Sequence, residues 1–421
     1  MLTRSTCWKL TLWLTAMLLL HAVLAWRSWR AISTGLPDFT IFYTAGEILH
    51  EGHGYELYDD RVQEDVQRSF SPIGLQKRGS ILPFNHPPFE ALVFVPFARL
   101  SYVRAYLAWF GINLGLTLVV LVLLRRNFVI LGSAPFYLWI LAGLGFYPLF
   151  MALMKGQDSI LILFCYTMAF LAFRRGFDLR EGAWVGLGLC KPHLVLPFML
   201  PLLLLRRKRF LAGFFSVALV LALLGLAAVG WKGSFDYPAY VIASENNPGY
   251  IWNSPGEHAA NLRGVVESMC SPENPHLRIG LILVLCLMLL AALTYATRKA
   301  FRTTAVYPDL VFALSLIATV LVSYHIFLHD LSILFLAVLI VLEISLSGQM
   351  FHGGSKRAFF ACIGILFCSP VYMLLTLRYK QSELLGAVLL LFFVVLFVEF
   401  VRIQPRPSAR PGPVLTNPQL S

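Results

Sequence analysis

Charged side chains are scarce in this chain: Asp, Glu, Lys and Arg make up 13% of its 421 residues, against 58% hydrophobic. A soluble domain carries about 25% charge. A chain this poor in polar cover cannot dress a water-facing surface, so the bilayer is its expected solvent. No Walker loop, GxGxxG turn, GxSxG elbow or HExxH helix occurs. Those absences argue against an ATP-driven pump, a Rossmann nucleotide-sugar enzyme, a serine hydrolase and a zinc protease. The seven cysteines are scattered, without a CxxC pair. They give no disulfide framework and read as small core residues.

What the chain has in excess is positive charge, +12 overall. The Lys and Arg residues stand in short clusters at the ends of apolar runs. That pattern marks cytoplasmic loops beside anionic lipid rather than a nucleic-acid surface. Twelve apolar runs lie near 8–29, 86–100, 102–124, 134–153, 158–173, 182–205, 209–231, 277–297, 308–324, 328–346, 357–377 and 383–402. A crossing needs about 20 residues. If every run crosses, Arg125-Arg126 and Arg174-Arg175 fall outside. If 86–100 and 182–205 are re-entrant, ten crossings remain and all the clusters lie inside, as positive charge prefers. The expected fold is an all-α polytopic membrane domain over 1–404 with about 10–12 transmembrane helices. The first helix is a retained signal anchor. A Pro-rich tail at 405–421 is expected to be a disordered cytoplasmic segment.

Both topologies put residues 30–85, 232–275 and the stretch near 325–330 outside. In the first outer loop, Phe39, Phe42, Tyr43, Ala45, Ile48 and Leu49 form a helical stripe. Gly52 and Gly54 follow it, and Val62, Val66 and Phe70 form a second stripe. These predict short amphipathic helices suited to the membrane surface.

Polar residues within this framework are the candidates for chemistry. Asp38 closely follows the first membrane helix; it fits both an N-cap before Phe39 and a carboxylate at a cavity mouth. His86 precedes Pro87-Pro88, which fix an extended entry to the next run. It is either an interfacial histidine on a proline turn or a headgroup contact. Lys155-Gly156-Gln157-Asp158 interrupts two apolar runs, as an ordinary loop or with Gln157 turned into a cavity. Lys191 stands inside the apolar run 182–205, where a charge costs about 3 kcal/mol to insert and ordinarily faces a cavity or a partner. The loop 232–275 is rich in amides and aromatics, among them Asn253, Asn261 and Arg263. His325 and His329 would share a helix face, but no third ligand accompanies them, so no metal is expected there.

Several stretches together resemble glycosyltransferase family 87, the polyprenol-phosphate-mannose-dependent transferases of the GT-C superfamily. They are PDFTIFYTAGEILHEGHGYELYD (37–59), FNHPPFEALVFVPFARLS (84–101), KGQDSILILF (155–164), residues 181–210, NLRGV (261–265) and SYHIFLHDL (323–331). They keep the family's order. The chain departs from it in placing His86 where many relatives have Tyr or Lys, and in the detail of 232–275.

The resemblance implies a GT-C fold, an extracytoplasmic site in the cell membrane, a polyprenyl-phosphate sugar donor with mannose as its sugar, and a glycan or glycolipid acceptor. It implies Asp38 as general base and the 325–330 stretch near the donor phosphate. On this basis His86, Lys191, Arg263, His325 and His329 are expected to hold the donor phosphate. Tyr43, Glu47, Gln157, Asn253, Asn261 and Asp330 are expected sugar or acceptor contacts, with no cofactor and no metal. The residue inventory suits that chemistry. A lipid phosphate leaves as a stable anion, so one carboxylate suffices where a glycosidase needs two. The rival class is a secondary transporter or flippase of lipid-linked sugars, which would also use broken helices and an intramembrane Lys.

Overall fold

The computed structural model describes residues 4–247, 259–271, 273–302, 308–348 and 354–402. The expected contact Asn253 and the tail 405–421 lie outside them. The described residues form helices and no strand.

Helix α1 (Arg4–Ser33) spans 30 residues, about 45 Å at 1.5 Å per residue. After it, α2 (Phe39–His50), α3 (Asp60–Phe70), α4 (Pro72–Arg78) and α5 (Pro88–Phe94) make a cap of short helices. Next come α6 (Tyr102–Asn127), then α7 (Phe136–Gly145) and α8 (Tyr147–Lys155), a pair bent by 66°. They lead to α9 (Ser159–Arg174), α10 (Asp178–Leu187), α11 (Pro192–Leu204) and α12 (Lys208–Asn246), the last kinked at Gly230. The remainder is α13 (Leu262–Met269), α14 (Pro275–Arg302), α15 (Pro308–Val322), α16 (Leu334–Leu346), α17 (Gly354–Leu366), α18 (Ser369–Met373) and α19 (Glu383–Arg402).

This is an all-α polytopic membrane protein. Among the described residues, five helices (α1, α6, α12, α14 and α19) are long and apolar enough to cross a bilayer, or seven spans if each bent pair counts as one. Helices α9, α11 and α15 are apolar but shorter. The sequence led us to expect about ten to twelve crossings; fewer helices pass because α9, α11 and α15 are shorter than a span, while the two runs expected to be re-entrant in the ten-crossing version are indeed broken. The run 86–100 becomes the seven-residue α5 and a 3₁₀ segment. The run 182–205 is split into α10 and α11 by a 3₁₀ turn at Gly188–Cys190. Neither forms one helix of the roughly 20 residues a crossing needs.

Two further expectations are corrected. Residues 232–246 are not loop but the end of α12, and 262–269 is α13. The stripe on α2 is not offered to the membrane surface. Phe39, Phe42, Ala45 and Ile48 are fully buried, packed with Phe94, Tyr102, Tyr106 and Trp109 in one aromatic cluster. A helix with almost every side chain covered belongs inside a core, not on an interface.

The membrane core centres on α15 and α16, whose side chains are buried on nearly all sides. Helices α10 and α12 cross at backbone contact. A Cβ on Gly182 would fall 1.9 Å from the Phe210 carbonyl oxygen, and one on Gly213 would fall 2.0 Å from that of Leu179. Apolar helices gain no hydrophobic drive from lipid, so small residues that let backbones meet are their means of association. Gly182→Ala is therefore expected to lower the melting temperature in detergent, by overpacking worth about 1–3 kcal/mol. Gly280→Ala, where a Cβ meets nothing within 4 Å, should be neutral or stabilising, by up to about 1 kcal/mol. Equal effects of the two would refute the close-crossing account.

Candidate functional site

Asp38 occupies the N-cap position of α2, but its side chain makes no capping bond. Its carboxylate turns the other way, into a cavity of about 630 Å³ between the cap and the membrane core. There Lys155 Nζ lies 3.3 and 3.2 Å from its two oxygens, and Gln157 Nε2 donates to Oδ2 at 2.9 Å. Burial pushes this carboxyl up, but the Lys155 ammonium and the donated hydrogen bonds outweigh it and hold it below the ordinary carboxylate range.

The turn that carries Lys155 and Gln157 is shaped by Gly156. Its φ of +66° is left-handed, and a Cβ there would sit 2.7 Å from Phe39 Cβ. A residue other than glycine would strain the turn and push it off α2. Helix α6 grips the same turn from behind. Tyr106 Oη donates to the Met154 carbonyl at 2.8 Å and Trp109 Nε1 to that of Gly156 at 2.9 Å. These bonds fix the turn opposite Asp38, where Gly156 packs on Phe39.

Lys191 stands where α11 begins, in the break that interrupts the run 182–205. It is 3% exposed, and its ammonium is surrounded by acceptors. It donates to Asp330 Oδ1 at 2.6 Å, Ser159 Oγ at 2.9 Å and Gln157 Oε1 at 3.2 Å. Asp158 Oδ1 lies 3.1 Å away as a second anionic neighbour. Asp330 is braced in turn: Ser159 Oγ donates to Oδ1 and the Phe327 amide to Oδ2. Gln157 thus joins two charged groups, donating to Asp38 and accepting from Lys191.

His329 lies between Asp38 and Asp330, with Nδ1 3.9 Å from Asp38 Oδ2 and Nε2 3.6 Å from Asp330 Oδ1. Burial pushes its imidazole down to about 3, so it is neutral at physiological pH.

The structure therefore brings Asp38, His86, Gln157, Lys191, His325, His329 and Asp330 to one cavity wall. His325 and His329 do so from a non-helical stretch, so they do not share a helix face. Other expected contacts lie outside the lining. Tyr43 Oη donates to the Leu100 carbonyl within the cap. Glu47, on α2 beside it, is likewise not in the wall. Asn261 is fully buried and caps α13 through the Gly264 amide. Arg263 is bonded to Glu267 and stacked over Tyr324, one layer behind the wall.

Lys155 and Arg78 were not among the expected site residues. The guanidinium of Arg78 lines the cavity and hydrogen-bonds neutral acceptors, Gly35 and Ser80 carbonyls and Gln67 Oε1. Lys155 had a signal, a charge between two apolar runs. Arg78 had none, because it ends a short helix in a polar loop.

Breaking the Lys191 pair tests how far the site is built on it. Lys191→Met strands two buried carboxylates, a loss of about 3–5 kcal/mol, visible as a lower melting temperature. Adding Asp330→Asn should restore part of it. If the double variant is no more stable than the single, the pair is not the link.

With this geometry in place, comparison with known proteins adds one match. The family model described as glycosyltransferase family 87 matches residues 84–324, more than half of the chain. No curated protein and no solved structure matches.

Proposed function

The chain belongs to glycosyltransferase family 87, and from that premise we propose that it moves a hexose, mannose by resemblance, from a polyprenyl-phosphate donor to a glycan or glycolipid acceptor. The protein is a membrane glycosyltransferase; the donor, the sugar and the roles below are our reading. The observation that carries it is the Asp38 carboxylate, turned away from its helix and into the cavity.

The chemistry needs one base and a place for a departing phosphate. Asp38, held ionised by Lys155 and Gln157, accepts the proton of the acceptor hydroxyl as that oxygen attacks the anomeric carbon. The bond from that carbon to the phosphate oxygen breaks on the opposite face, so the configuration inverts. The phosphate leaves as an anion and takes up no proton. Positive charge and hydrogen-bond donors on the wall stabilise it as charge develops. Arg78 suits this role, since its partners are neutral. Lys191 suits it less, since Asp330 and Asp158 already balance its charge. His86, His325 and His329 can donate or accept at the same wall. The apolar wall residues Leu36, Ile41, Leu82 and Leu328 suit the first isoprene units. By the positive-inside argument the cavity faces the extracytoplasmic side of the cell membrane.

Transfer of radiolabelled mannose from polyprenyl-phosphate mannose, assayed in membranes and then with purified protein, tests the proposal. Asp38→Asn should lower kcat by about 10²–10⁴-fold with expression intact; near-wild-type turnover would remove Asp38 as the base. Arg78→Gln should instead raise KM for the donor. Because His329 is neutral, it should add no inflection to the rate between about pH 6 and 8, and the His329→Gln profile should keep the wild-type shape. An inflection near the histidine value that disappears in His329→Gln would show that an imidazolium takes part after all.

A further inference from the structure

Beside the cavity, the wall residue His86 meets two acids, Glu90 and Asp158, that this mechanism does not use. His86 Nδ1 is 2.9 Å from Glu90 Oε2. One ligand atom from each of His86, Glu90 and Asp158 lies within 4.8 Å of the others. Glu90 is 3% and Asp158 2% exposed. Yet Glu90 Oε1 and both oxygens of Asp158 have no hydrogen-bond partner. A buried carboxylate without donors is costly and calls for an explanation.

The lysine next to them does not supply one. An ammonium has three N–H donors, and those of Lys191 go to Asp330, Ser159 and Gln157. Asp158 Oδ1 pairs with that ammonium at 3.1 Å, while its Oδ2 has no hydrogen-bond partner. The ammonium's charge is shared by Asp158 and Asp330, leaving Glu90 with His86 alone. Unsatisfied carboxylate oxygens of Glu90 and Asp158 thus converge beside an imidazole nitrogen.

We propose that His86 Nδ1, Glu90 and Asp158 bind one divalent cation of the Mn²⁺ or Zn²⁺ type. Two carboxylates with an imidazole fit those ions better than Ca²⁺ or Mg²⁺, which prefer all-oxygen shells. Binding requires His86 to carry its proton on Nε2, leaving the Nδ1 lone pair for the metal. Of the three ligands only His86 reaches the cavity wall, so the ion sits behind that wall. It would tie α5 to the start of α9 and lock the His86 ring. The inference rests on the geometry and not on the transferase reading.

The test uses tag-free full-length protein in detergent, stripped with EDTA, equilibrated with MnCl₂ or ZnCl₂ and passed through gel filtration. Elemental analysis should find about one ion per chain of at least one metal, with a rise in melting temperature. Glu90→Gln should lose both while remaining monodisperse. Should that variant aggregate, wild-type protein with Mn²⁺ decides alone. Its electron-spin-echo spectrum should show nitrogen modulation from one imidazole. Three results would each overturn the proposal: less than about a tenth of an ion per chain with both metals, no nitrogen coupling, or full metal retention in Glu90→Gln. A protonated-carboxyl infrared band in wild type, lost in Glu90→Gln, would mean that a shared proton holds the two acids instead.

Discussion

The placement of one buried ammonium governs the rest of this site. Lys191 sits in an apolar bundle where a lone charge would cost several kcal/mol, and the surrounding elements are arranged to receive it. The break between α10 and α11 carries it, α9 begins with Asp158 and Ser159 beside it, and the stretch ahead of α16 brings Asp330 to 2.6 Å. Three separate parts of the chain are held to one point by the need to neutralise that charge. Gln157 then extends the network to Asp38, so the orientation of the cavity carboxylate depends on a lysine that does not touch it.

A second constraint comes from the aromatic cap. The role proposed for Asp38 needs a fixed helix start, and α2 is held because Phe39 and Phe42, on one face of it, are buried against Phe94, Tyr102 and Tyr106. The same Phe39 receives Gly156 on its outer side. A packing contact therefore sets the distance between the carboxylate and its lysine. The cap packs inward and closes the cavity from above, which explains why its apolar stripes are not free for lipid.

The split between two positive groups follows from their partners. Lys191 is neutralised by carboxylates, whereas Arg78 is satisfied by carbonyl and amide oxygens and keeps its field. Neutral His329 between two carboxylates adds polarity without charge. The cavity thus carries both a carboxylate and a guanidinium, the two kinds of group that the proposed base and departing anion call for.

By itself the sequence determined the solvent and the class. Scarce charge and long apolar runs require a helical membrane protein, because only closed backbone hydrogen bonding survives in lipid. It also marked Asp38, close behind the first long apolar run, and Gln157 and Lys191, since a polar residue that interrupts such a run is legible in one dimension. Tertiary structure alone decided which of them meet. Asp38 and Gln157 are 119 positions apart, Lys191 and Asp330 139 apart, and no local pattern encodes such pairings. It also decided that Arg263, Tyr43, Glu47 and Asn261 face elsewhere. Their residue types suit sugars, but a side chain's direction is set by the packing of its helix. Glu90 shows the limit most clearly: in sequence it is one acid in a short apolar helix, and only its burial beside His86 and Asp158 gives it a chemical meaning.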